Sequence, residues 1–188
     1  FTFWLYAAGK FYVQWDATDN NTIQLIERSY TGEQSYSYTY ASAGPKTIKI
    51  WGGYENGRGA SDYYITDTAD ISAIRFGNQY TITPIASVNG SLGRIFPTLN
   101  NGTLVPNFKS LFVNAAHLNS ISANLFDGVS GVPVPSMFDA TFAGCTSLQS
   151  IPAGLFDGIS GAAEHMFRYT FGGCTSLQSI PAGLFDGI

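Results

Sequence analysis

The chain predicts a β-rich protein with short helices, in which residues 1–56 form an antiparallel β-sandwich and residues 57–188 a loop followed by a repeat solenoid. Three observations carry this. Short segments of alternating apolar and polar residues crowd the front. The fifteen residues "CTSLQSIPAGLFDGI" occur at Cys145–Ile159 and, letter for letter, at Cys174–Ile188. Inside each copy, apolar residues return at every third position, as in Phe142, Cys145, Leu148 and Ile151.

In the front part, "TFWLYA", "KFYVQWD", "TIQLIERS", "QSYSYTY" and "KTIKIWG" are separated by Gly, Asn, Asp and Pro. Period-two alternation marks half-buried strands, and several of them between turn residues suggest a sandwich. Tyr36, Tyr38 and Tyr40 share one strand face. They read either as a platform for sugar rings or as sandwich core with a hydrogen-bonded corner tyrosine, the latter being favoured. The next stretch, "GGYENGRGASDYYITDTAD", is rich in Gly and polar residues and reads as a long loop leading to a first coil at "ISAIRFGNQYTITPI".

The repeat extends back beyond its two identical copies. Leu118, Leu148 and Leu177 align, as do Ile121, Ile151 and Ile180, and Leu125-Phe126, Leu155-Phe156 and Leu184-Phe185. A fainter trace is Ile95-Phe96. A period of about 30 residues is that of a solenoid unit. Within a unit a short strand is expected near Leu148–Ile151, ended by Pro152, which has no N–H to donate. "AGLFDG" supplies a turn that presses Leu155 and Phe156 inward. The return segment "SGAAEHMFRYTFGG" predicts a short helix, because Phe167 and Phe171 are spaced to share a face. In the preceding copy Pro135 suits a first helical turn, and Gly144 and Gly172-Gly173 suit helix ends. One coil cannot bury its own Phe, Leu and Ile side chains, whereas stacked neighbours can.

The pattern "MFxxTFxxCxxLxSIPxxLF" resembles the BspA-like leucine-rich repeats of bacterial surface proteins over roughly Ile71–Ile188. Ala115 stands in the cysteine position of the earlier copy, Ser122 replaces its proline, and the unit is longer than the family's. The front, "FYVQWDATDNN…YSYTYASAGPKTIKIWG", is similar to PKD-like modules through Trp15-Asp16, Tyr40 and the strand Thr47–Trp51. It lacks the glycines after the tryptophan and a histidine before Thr39, and its length leaves out an upstream strand. The resemblance implies a PKD/Ig-like sandwich followed by a leucine-rich-repeat solenoid. It also implies a non-enzymatic adhesin, extracellular and at the cell surface or secreted, that engages a protein or glycan on a host or neighbouring cell. The alternative is a structural spacer, fibre or virion-surface decoration. An enzyme is the third reading, with no constellation behind it.

Composition narrows the partners. Charged residues are 12% of the chain, about half the usual share, and the net charge is −4 without any run of like charges. Nucleic-acid binding needs a basic stripe and is not expected. No stretch approaches the roughly 18 apolar residues that span a bilayer, so no membrane insertion is expected. The start, "FTFWLYAAGKFYV", lacks a basic region and cleavage site and reads as chain already inside a strand. Both ends read as cut from something longer, with further coils or a cap after Ile188.

The residues able to do chemistry are few. Cys145 and Cys174 occupy the same repeat position. Coils stacked at ~4.8 Å would meet the Cα distance of a disulfide, yet side chains in register run parallel, so an unpaired buried pair is expected. A cysteine peptidase using His165 is not expected, since thiolate nucleophiles need an exposed electropositive setting. Zinc ligand spacing is missing. Calcium is a weak option at Asp16, Asp19, Asn20 and Asn21, or at Asp62, Asp67 and Asp70, although turn chemistry accounts for both groups. Glycosylation tripeptides begin at Asn20, Asn89 and Asn101. No catalytic, cofactor or metal residue is assigned. The candidate contact surface is a flat, uncharged strip of His117, Asn119, Ser120, Ser147, Gln149, Ser150, Ser176, Gln178 and Ser179. Of these, Asn119, Ser147, Gln149, Ser176 and Gln178 are taken as the partner-binding residues. The copies differ in their return segments, and that side and the 53–70 loop are equal candidates for a discriminating surface.

Overall fold

The computed structural model describes residues 1–6, 9–28, 32–52, 73–78, 80–95, 106–129 and 132–188. All five alternating segments of the front contain strands. These are β1 (Thr2–Leu5), β2 (Gly9–Gln14), β3 (Ile23–Arg28), β4 (Gln34–Ser37) and β5 (Lys49–Gly52). One antiparallel sheet has the order β3-β2-β5. The other places β1 between β4 and β6 (Ile74–Arg75), a strand much later in the chain. Alternation dictates the inward faces: Phe3 and Leu5 on β1 and Phe11 and Val13 on β2 are buried. Phe3 lies 6.3 Å from Phe11 and 5.6 Å from Trp15, ring to ring, which brings the two sheets face to face.

The turn after β2 is held by its own side chains. Asp19 caps a 3-10 turn at Asn20–Thr22 by accepting from the Asn21 N–H, and the Tyr40 hydroxyl donates to the Trp15 carbonyl at 2.6 Å. Tyr36 stacks on Phe3 at 5.5 Å and Tyr38 on Trp15 at 5.7 Å. The three tyrosines are therefore half-buried: Tyr36 and Tyr38 pack against the core, and Tyr40 is the hydrogen-bonded corner.

Beyond β6 the regular elements among the described residues are only two or three residues long. Phe76 touches the front sheets through Phe3, at 5.9 Å, and the repeats through Phe112, at 5.5 Å and nearly parallel. Gly77 and Gly93 sit where backbone meets backbone: a Cβ would fall 2.0 Å from the Val113 carbonyl oxygen at the first and 2.1 Å from that of Asp127 at the second. Between these glycines in the chain lies β7 (Ser87–Val88), which pairs in parallel with β8 (Ser120–Ile121).

The repeat region corrects the expected fold class. Among the described residues there is no α-helix, and no leucine-rich-repeat solenoid is formed; the protein is β-rich, with three small separate sheets. The return segments are chains of turns. In the second copy the N–H groups of Met137, Asp139, Thr141 and Ala143 each donate to the carbonyl three residues back, while those of Ser136, Phe138, Ala140, Phe142 and Gly144 donate to Glu164, Met166, Arg168, Thr170 and Gly172 of the next copy, at 2.8–2.9 Å. Every fourth residue takes a left-handed φ: Ser136, Ala140 and Gly144, then His165, Tyr169 and Gly173. An α-helix needs unbroken right-handed geometry and keeps its N–H groups to itself. Each left-handed non-glycine residue costs about 1–2 kcal/mol, a cost met by the hydrogen bonds to the neighbouring copy and by phenylalanine burial.

The expected strand at Leu148–Ile151 is also absent, since only the first copy has one, as β8. Later copies are linked there by the Ser147 N–H to the Ala116 carbonyl, 3.1 Å, and the Gln178 N–H to that of Gln149, 3.5 Å. Two such bonds do not make a ladder. What holds the copies together is three columns of rings. Phe112, Phe142 and Phe171 follow at 5.7 and 5.6 Å, Phe108, Phe138 and Phe167 at 6.1 and 5.4 Å, and Phe126, Phe156 and Phe185 at 5.7 and 5.9 Å.

Candidate functional site

Apolar positions anchor the candidate strip. Leu118 and Leu148 are fully buried, and Ile121 and Ile151 nearly so. The residues between them must face outward, so Asn119, Gln149, Ser176 and Gln178 are exposed and Ser147 is half-buried. The backbone bonds that link Ala116 to Ser147 and Gln149 to Gln178 bring equivalent positions of successive copies side by side. Asn119 is fixed on its other flank, its N–H donating to the Ala86 carbonyl at 2.9 Å. Hydroxyls and carboxamides both donate and accept, so the strip can pair with a peptide backbone or with sugar hydroxyls without a charge partner.

Cys145 and Cys174 are free thiols, both buried. Their Sγ atoms contact the carbonyls of Phe112 and Phe142, at 3.4 and 3.2 Å, one copy back. Burial pushes the Cys145 thiol up to about 12 and raises that of Cys174 as well, so both stay protonated near neutrality. His165 lies on the surface beside Glu164, 3.4 Å away. Asp16 is already committed: Lys46 at 2.8 Å and the Thr18 hydroxyl and N–H hold its carboxyl down at about 2. Asp19 is occupied with Asn21. Asp62, Asp67 and Asp70, the tripeptide at Asn101 and the 53–70 loop lie outside the described residues. Among the described residues no three His, Cys, Asp or Glu side chains gather as a metal site would require, and no helix is long and apolar enough to cross a membrane.

Two features escaped the sequence reading. Lys109, Asp139 and Arg168 occupy one repeat position in three successive copies. Arg168 binds Asp139 through two hydrogen bonds, 2.7 and 3.3 Å, and Lys109 approaches it at 3.7 Å. The alternation of sign down that aligned column was the available signal. The second feature is the outer face of β3-β2-β5, where Tyr12 sits opposite both Leu25 and Trp51 and stacks on Trp51 at 5.6 Å. Leu25 and Trp51 stay more than a third exposed, at 42% and 37%. Alternation within those strands was the available signal for this face.

No protein family, curated protein sequence or solved structure matches this chain.

Proposed function

We propose that the chain is a non-enzymatic, extracellular binding module that engages a protein or glycan partner through its repeats, with Asn119, Ser147, Gln149, Ser176 and Gln178 as the contacts. The observation that carries this reading is the file of exposed carboxamides, Asn119, Gln149 and Gln178, on adjoining copies beside the buried Leu118 and Leu148 and the half-buried Leu177. A fixed file of neutral donors and acceptors suits a partner that also repeats, such as an extended peptide or a polysaccharide. The likeness of the repeat sequence to those of bacterial surface proteins supports a place outside the cell and an adhesive role.

Arrays of glycans and of extracellular matrix proteins, probed with the 188-residue chain, test the proposal. Binding that falls at least roughly tenfold in the double variant Gln149→Ala, Gln178→Ala supports it, since each lost hydrogen bond contributes about 1 kcal/mol. Both side chains are exposed, so the variant should fold. Binding that the variant leaves intact, or silence across the arrays from a folded chain, rejects it. One observation favours a second reading, that of a spacer: the strip is identical in the last two copies and so encodes little choice of partner. Array silence together with an undiminished melting temperature in the variant would favour that spacer.

A further inference from the structure

Asn89 and Gly90 bridge two anchored points without an anchor of their own. Before them, the Val88 carbonyl takes the Ser122 N–H at 3.0 Å. After them, the Ser91 hydroxyl donates to the Asp127 carbonyl at 2.5 Å and accepts from the Gly93 N–H. Both residues of the bridge are exposed. Among the described residues, the Asn89 carboxamide and the Gly90 N–H meet no partner. Gly90 takes a left-handed φ of 95°, and nothing lies within 4 Å of the point where a Cβ would stand.

Three other asparagines show the contrast. The residues that follow Asn107, Asn114 and Asn124 are Phe108, Ala115 and Leu125. Their N–H groups donate to the carbonyls of Met137, Phe112 and Ser122. A nitrogen held in that way, with a side chain beside it, is kept from the carboxamide behind it. At Gly90 the nitrogen is unheld and unshielded. An asparagine Cγ is an acyl carbon with ammonia as its leaving group, and a neighbouring nitrogen in the same chain attacks it without the entropy cost of a bimolecular encounter.

We propose that Asn89 is a site of spontaneous covalent modification, at which the Gly90 nitrogen closes a succinimide that opens to aspartate and isoaspartate. The bond formed joins the Gly90 nitrogen to Asn89 Cγ, and the bond broken is Cγ–Nδ2. The Gly90 amide proton departs with the leaving group as ammonia. Water, the only co-reactant, then opens the ring. Attack at Cγ restores the main chain and leaves aspartate; attack at the main-chain carbonyl leaves isoaspartate, whose backbone runs through the former side chain. Either product adds one negative charge just past the Val88–Ile121 pair, on the flank of the uncharged strip that β7 adjoins through Ser87 and Ser120. Isoaspartate also inserts a methylene between the two anchored points and loosens the β7–β8 pairing. The inference does not depend on the binding role of the strip.

The test holds the folded chain and the chain in denaturant in mildly alkaline buffer. It follows ammonia release, together with peptide mapping that separates aspartate from isoaspartate. The same dipeptide at Asn56-Gly57 and Asn101-Gly102 lies outside the described residues, and mapping reads Asn89 apart from both. The expected result is conversion of Asn89 to both products in the folded chain at close to its unfolded rate, with Asn107, Asn114 and Asn124 intact. Gly90→Ala should slow conversion at least roughly tenfold, because a Cβ shields the nitrogen and resists the left-handed turn. Asn89→Gln keeps an exposed amide and should fold, yet it cannot close the five-membered ring, so its site should stay intact. Three results overturn the proposal: Asn89 converting only in denaturant, a rate that Gly90→Ala leaves unchanged, or aspartate without isoaspartate, which marks direct hydrolysis by water. Failure of the arrays to show binding would leave these rates unchanged, so the two proposals fail separately.

Discussion

Arg168 grips Asp139 from the next copy of the repeat, Nη2 to Oδ2 at 2.7 Å and Nε to Oδ1 at 3.3 Å, and the carboxylate it holds is only 4% exposed. Lys109 reaches the same carboxylate from the preceding copy. A buried charge between two cations from either side ties three copies together at one position. The pair is also geometrically specific, because a guanidinium offers a carboxylate two parallel donors.

Removing the arginine should therefore cost more than removing an ordinary surface charge. Breaking a fully buried pair costs about 3–5 kcal/mol. The Arg168 side chain is 45% exposed, so solvent screening reduces the expected loss to about 1–2 kcal/mol for Arg168→Ala. Urea unfolding of Arg168→Ala, Asp139→Ala and the double variant checks this. A coupling energy near zero between the two sites would show that the contact contributes nothing.

Truncating a phenylalanine should have effects that depend on its place in a column. Phe142 is fully buried and stacks on both Phe112 and Phe171, so Phe142→Ala should lose about 3–5 kcal/mol. Phe185 has the covered ring Phe156 on one side and solvent on the other, so Phe185→Ala should cost well under half of that. Equal losses from the two variants in thermal or denaturant unfolding would contradict the ring-column account of how the copies cohere.

Acid should act on the front sheets through Asp16. Hydrogen bonds from Lys46 and Thr18 depress its folded value to about 2 from an ordinary value of 3.8. A depressed carboxylate stabilises the fold above its unfolded value, and that contribution is lost as pH falls through the folded one. The loss therefore occurs between about pH 4 and pH 2. In Lys46→Met the carboxyl lies closer to its ordinary value. The stability difference between wild type and variant should be greatest above pH 4 and shrink toward pH 2. Denaturant midpoints across that range test it, and a difference independent of pH would remove Asp16 from the explanation.

Burial was legible wherever it follows from local spacing. Phe3, Leu5, Phe11 and Val13 alternate along the chain, and a pleated strand sends alternate side chains to one side. Phe142, Cys145, Leu148 and Ile151 recur at threes, and all four are buried. Of the candidate strip, outward placement followed from the same rule. The exposed row Leu25, Tyr12 and Trp51 and the charge column Lys109, Asp139 and Arg168 were missed because each joins residues from separate strands or copies. No single window contains them.

The amino-acid sequence by itself determined the strands β1 to β5, the buried residues of the front sheets and the register that lines up one copy of the repeat with the next. Only the tertiary structure decided the backbone of the return segments. Phe138 and Phe142, four residues apart, share a face in a helix and equally in a chain of turns with a left-handed residue at every fourth position. The spacing of apolar residues cannot separate the two. The choice falls to where the N–H groups find acceptors, and here every second one finds a carbonyl on the neighbouring copy, nearly thirty residues away in the chain.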